Sequence, residues 1–106
     1  MAVKESREIV RLREKLGIKV LWVYILSLLN KAPSHAYILR NKIEERFGFR
    51  TGNVTVYVVL YKLEGRGFVT AKRENNRKVY TITTRGKTLL KEAEKEFKDK
   101  QKLIFS

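Results

Sequence analysis

The chain has no cysteine, and only one histidine, one aspartate and one proline. Without thiols there is neither a disulfide framework nor a thiolate metal site. His35 alone cannot build a histidine-rich metal site or a catalytic pair with a thiol. Asp99 stands apart from Glu44, Glu45, Glu64 and Glu74, and these carboxylates lack the spacing of an acid–base pair. No catalytic residue, metal or cofactor is therefore expected, and the chain reads as a non-enzyme. Long apolar runs are missing too. The longest, Val20 to Leu29, is too short to span a bilayer, so no membrane partner is expected. Met1 to Gly17 is charged throughout rather than basic then apolar, which argues against a signal peptide and for the cytoplasm.

What the chain has is positive charge. Lys and Arg number 24 against 11 acids, a net +13 over 106 residues. That excess attracts polyanions and fits nucleic acid better than an acidic protein partner. It is also uneven. From Arg66 to Lys91 there are eight basic residues (Arg66, Lys72, Arg73, Arg77, Lys78, Arg85, Lys87, Lys91) against the single acid Glu74.

The stretch beside this cluster, Asn53 to Val69, organises the rest. Val56, Val59, Leu60 and Leu63 fall at helical spacing on one face. The opposite face is read as carrying Thr55, Tyr57, Tyr61 and Lys62, groups that can hydrogen-bond outward. Asn53 is suited to cap the helix start, and Gly65 and Gly67 to stop it. Apolar periodicity reports only burial, so an ordinary core helix with surface tyrosines fits equally. The adjoining charge favours a recognition helix followed by a basic wing.

Upstream, Lys4 to Leu16 reads as an amphipathic helix with Ile9, Leu12 and Leu16 on one face and Gly17 as a stop. Lys19 to Leu29 is apolar nearly all round, as expected of a helix buried on more than one side. Trp22 and Tyr24 within it suit plain core more than a ligand cavity. A turn at Asn30 to Ser34 follows, with Ser34 as the expected cap of a helix from His35 to Phe47. That helix and the Asn53 helix, joined by Gly48 to Gly52, make a helix-turn-helix. Downstream, Phe68 to Ala71 and Val79 to Ile82 are strand-like, and Asn75-Asn76 tolerates the positive φ of a tight hairpin turn. Thr83 caps a final helix from Thr84 to about Ile104, in which Leu89, Leu90, Ala93, Phe97 and Ile104 recur at near-heptad spacing. So narrow a stripe on so long a helix suits association with a second subunit, the alternative being its own domain.

Several of these segments resemble the PadR-like winged-helix transcriptional regulators. Ser34-His35-Ala36-Tyr37 is similar to the family's His-Gly-Tyr opening of the second helix. Thr55-Val56-Tyr57 with Leu60, Leu63 and Glu64 is similar to its recognition helix. Gly67-Phe68-Val69 resembles its lead into the wing, and Arg77, Tyr80, Thr83 and Gly86 resemble the exit. The likeness runs from about Ile25 to Leu90, with Val58 where the family usually has Pro, and Val54 and Ala36 where it usually has Gly. The resemblance implies a mainly α fold with a small β-hairpin. This is a winged helix-turn-helix whose long C-terminal helix pairs with a second copy. It also implies that Tyr37 and Tyr57 contact the DNA backbone, and some relatives bind apolar effectors at the subunit interface.

The expected organisation is one winged-helix domain over 1–106: an N-terminal helix (1–17), a core (18–83) and a dimerisation helix (84–106). The expected function is sequence-specific regulation of transcription. A homodimer would bind double-stranded DNA at a pseudo-palindromic operator, more as repressor than activator. A basic architectural or RNA-binding protein is the alternative. The expected DNA-binding residues are Tyr37, Asn53, Thr55, Tyr57, Tyr61, Lys62, Lys72, Arg73, Asn76, Arg77 and Lys78. The expected dimerisation residues are Ile9, Leu12, Leu16, Leu90, Ala93, Phe97 and Ile104.

Overall fold

A computed structural model describes residues 5–106. Lys4, where the sequence reading starts the first helix, lies outside the described residues. Helix α1 runs Arg7–Gly17, its N-terminus capped by Ser6, whose hydroxyl accepts from the Ile9 N–H at 3.2 Å. The Lys19 segment does not continue as α-helix. Ile18–Val20 is a single tight turn, and α2 is Leu21–Leu29. Gly17 marks this break. It is buried, and a Cβ there would press on the Phe49 ring at 3.2 Å.

Helices α3 (Ala36–Phe47) and α4 (Asn53–Gly65) form the helix-turn-helix. Gly48, at φ 76°, ends α3 in the left-handed conformation that glycine adopts without steric cost. Two expected caps are not caps. Asn53 is the first residue of α4, preceded by Gly52 in extended geometry, with no side-chain cap bond. Ser34 lies one residue before the α3 cap position, which His35 occupies. Its backbone is committed elsewhere. The Ser34 N–H donates to the Tyr80 carbonyl at 3.1 Å, and the Tyr80 N–H donates back at 2.8 Å. A two-way bond to the hairpin outweighs a local cap.

The hairpin pairs β1 (Val69–Glu74) with β2 (Arg77–Ile82) antiparallel, in register from Val69↔Ile82 to Glu74↔Arg77. Both strands run nearer the tip than their apolar content indicates. Asn75 and Asn76, at φ 48° and 64°, make the two-residue turn. Helix α5 (Thr84–Ile104) starts at a tight joint. Thr83 accepts from the Gly86 N–H at 3.0 Å, and its hydroxyl donates to the Gly67 carbonyl at 2.7 Å. A Cβ on Gly86 would fall 2.1 Å from the Phe68 carbonyl oxygen, so only glycine lets α5 seat against this backbone.

One apolar cluster joins these elements: Leu21, Ile25, Leu26 and Leu29 of α2, Leu39 and Ile43 of α3, Val56, Leu60 and Leu63 of α4, and Val69, Tyr80 and Ile82 of the hairpin. The architecture is a winged helix-turn-helix with a long C-terminal helix.

Candidate nucleic-acid interface

The backbone bonds between Ser34 and Tyr80 bring the start of α3 against the wing. His35 Nδ1 then lies 3.1 Å from the Lys78 carbonyl oxygen; because a carbonyl only accepts, this nitrogen carries the proton. The Tyr37 ring stacks on His35 with centroids 6.0 Å apart. Arg77 crosses over from β2. Its guanidinium carbon sits 5.3 Å from the Tyr37 ring centroid, and Nη1 donates to the Tyr37 hydroxyl at 2.8 Å. Tyr57, from the second turn of α4, closes the other side. The result is a cleft of about 360 Å³ walled by Tyr37, Tyr57, Arg73, Asn76, Arg77 and Lys78, with His35, Ala36 and Tyr80 completing the lining.

Tyr80 is 3% exposed. Burial pushes its phenol up from the ordinary value, and the charges of Glu64 and Tyr57 add to the effect. The wing cations have no carboxylate partners among the described residues. Among the described residues the ion pairs are Arg13–Glu5, Arg50–Glu44, Lys95–Asp99 and Lys98–Glu94, none of them on the hairpin. Also among the described residues, no group of three or more His, Asp or Glu side chains converges as a metal site would need.

Six of the eleven residues expected at the DNA interface share this cleft. Tyr61 lines an adjoining hollow with Val54, Tyr57, Val58, Glu64, Lys78 and Tyr80. Asn53, Thr55, Lys62 and Lys72 are exposed but line neither depression. Sequence reasoning missed His35, Val54 and Val58. His35 carried only a motif role. The two valines were noted only as departures from the family pattern, although their spacing with Tyr57 and Tyr61 was readable.

A second set of exposed apolar residues lies on α1 and α5. Ile9, Leu12 and Leu16 of α1 are half-exposed, as is Phe97 of α5, and Ile104 is 67% exposed. Leu103 and Phe105 extend this apolar end of α5. Two residues expected to face a partner do not do so freely. Ala93 is already buried by its own protomer, and Leu90 packs half-buried on the core, because the first half of α5 lies on α2. Trp22 is neither fully core nor a closed cavity wall. It is half-buried along an open apolar groove of about 740 Å³ with Leu16, Val20, Leu89 and Phe97. Tyr24 packs on Phe47 and Phe49 at 4.7 and 5.0 Å between centroids, and its hydroxyl donates to the Leu16 carbonyl.

Comparison with known proteins places this arrangement. Residues 25–92 match the family model "Transcriptional regulator PadR-like family". Among solved structures, TA0346 from Thermoplasma acidophilum is 30% identical over 87% of this chain and 91% of its own, with a TM-score of 0.73. A PadR family transcription regulator from Clostridium difficile R20291 is 25% identical over 78% of this chain and 92% of its own, also with a TM-score of 0.73. Bacillus subtilis PadR, solved in complex with operator DNA, is 30% identical over 69% of this chain and 46% of its own, with a TM-score of 0.63. No curated protein matches the sequence.

Proposed function

Because the chain belongs to the PadR-like family of transcriptional regulators, we propose that it binds double-stranded DNA sequence-specifically as a homodimer. The observation that carries this is the meeting of Tyr37, Tyr57, Arg73, Arg77 and Lys78 in one cleft beside the outward face of α4. That cleft offers phenol donors and guanidinium charge where a sugar–phosphate backbone would run. It adjoins a helix of the right length and exposure to enter a major groove. That the Bacillus subtilis relative was solved in complex with operator DNA supports duplex DNA as the partner.

The whole chain acts as one winged-helix domain. The apolar faces of α1 and distal α5 (Ile9, Leu12, Leu16, Phe97, Ile104) pair with a second copy. Two-fold symmetry then calls for a pseudo-palindromic operator with half-sites about one helical turn apart. Occupying a promoter in the cytoplasm represses it, without catalysis. The groove beside Trp22 and Phe97 is the apolar space an effector would take. Selection of bound duplexes from a random pool tests this reading. A palindromic consensus bound far more tightly than bulk DNA supports it. Equal affinity for all duplexes, or preference for A-form RNA, supports an architectural or RNA-binding protein instead.

A further inference from the structure

The middle of the outward face of α4 is apolar. Val54, Tyr57, Val58 and Tyr61 recur at i, i+3, i+4 and i+7 and are 76, 52, 46 and 77% exposed. Val56, Leu60 and Leu63 on the opposite side are at most 6% exposed. At about 100° per residue, Asn53 falls on one flank of the exposed stripe, and Thr55 and Lys62 fall on the other. The residues best placed to face a ligand squarely are therefore the two valines and two tyrosines.

The surroundings limit what covers them. Lys78 and the single acid Glu64 line the same hollow, and Arg73 and Arg77 border the adjoining cleft with Lys78, so cations outnumber the acid three to one. An apolar surface rimmed by cations fits a partner with apolar groups set between rows of negative charge. A DNA major groove is built that way, since phosphates wall it and its floor carries one apolar substituent, the C5-methyl of thymine. Val54 stands in the first turn of α4, the part of a recognition helix that reaches base edges. Val58 lies four residues on, about 6 Å along the axis. That matches roughly two base steps of about 3.4 Å.

We propose that Val54 and Val58 read thymine methyl groups, so that each operator half-site is specified by van der Waals contact to two nearby thymines. Asn53, Thr55 and Lys62 serve the flanks and phosphates. The inference rests on the DNA-binding reading above and names what that reading leaves open, the chemistry of base recognition.

The test starts from the duplex selected by the wild-type protein. Each thymine of a half-site is replaced in turn by deoxyuridine, which lacks the methyl and keeps every hydrogen-bonding group. Loss of one methyl contact weakens binding roughly fourfold, and two positions per half-site should show it. With Val58→Ala the uracil penalty disappears at one of these positions, and with Val54→Ala at the other, as a mutant cycle requires of a direct contact. The uracil series uses wild-type protein and so does not depend on a variant folding. A specific operator bound equally well with uracil at every position overturns the proposal and leaves the regulator reading intact. Selection that enriches no sequence overturns both.

Discussion

Arg77 is the residue on which the wing and the helix-turn-helix meet. Its guanidinium has five N–H donors, and Tyr37 uses one of them while its ring faces the cation. The remaining donors and the full charge stay available to a phosphate. Removing the charge and removing the tether are therefore separable. Arg77→Ala should weaken specific and nonspecific DNA by similar factors and lower the salt slope by about 1. Tyr37→Phe keeps the ring and the charge and should leave the slope unchanged. Binding titrations across a salt series check both, and equal slopes for wild type and Arg77→Ala would rule out the phosphate role. Tyr80 gives a second residue-scale expectation. Its phenol is held above the ordinary value by burial, with Glu64 and Tyr57 adding to it. A folded-state value above the unfolded one means this group's stabilising share is fully present below the unfolded value. It is lost as pH rises through the folded one. Burial raises Tyr24 as well, so alkaline absorbance titration should show tyrosines ionising late and together with unfolding, and Tyr80→Phe should remove one tyrosine's worth of that late step. Gly86 gives a third. With the Phe68 carbonyl 2.1 Å and the Ile82 side chain 2.7 Å from a new Cβ, Gly86→Ala should destabilise by roughly 1–3 kcal/mol, read as a lower melting temperature.

At the scale of the element, α4 carries the functional claim, and its buried side can be tested without DNA. Leu60 has no exposed area, so Leu60→Ala should cost roughly 2–5 kcal/mol in thermal or denaturant melts. A small effect would mean that the helix is turned the other way and that the outward residues are misassigned. The buried side was legible from the sequence because a 3.6-residue period has one physical cause, burial on one side. The Asn75-Asn76 turn was legible because few residues adopt positive φ and asparagine is one of them. Ser34 was misread for the opposite reason. Serine before a helix is a sound local cap, but its backbone bonds to Tyr80, far along the chain, and no local pattern announces a pairing of that range. The cleft was half legible. Residue types and charge singled out Tyr37, Tyr57, Arg73, Asn76, Arg77 and Lys78, yet only the packing of α3 on β2 shows that they share one space. Val54 and Val58 escaped because they entered the sequence reading only as departures from the family pattern, and the outward face was searched for polar groups alone.

The whole molecule measures 49 × 31 × 20 Å, long for its size because α5 runs past the core. From Glu94 onward every residue of that helix is exposed, and Leu103, Ile104 and Phe105 are exposed by two-thirds or more. Together with the uncovered side of α1, this surface sets the expected oligomeric state. Sedimentation at micromolar concentration should give twice the chain mass. Phe97→Glu should shift the protein toward monomer and weaken operator binding, since a monomer grips one half-site; an unchanged dimer would place the interface elsewhere. The joint at Gly86 gives α5 a mechanical meaning. The start of α5 is seated on the Phe68 backbone and Thr83 is tied to Gly67, so the root of the wing and the start of the helix are held as one unit. Beyond the half packed on α2, the helix projects freely from Glu94 to Ile104, 11 residues or about 16 Å. In the proposed homodimer, a change in how two copies pair the distal ends of α5 would be carried along the helix to the roots of the two wings.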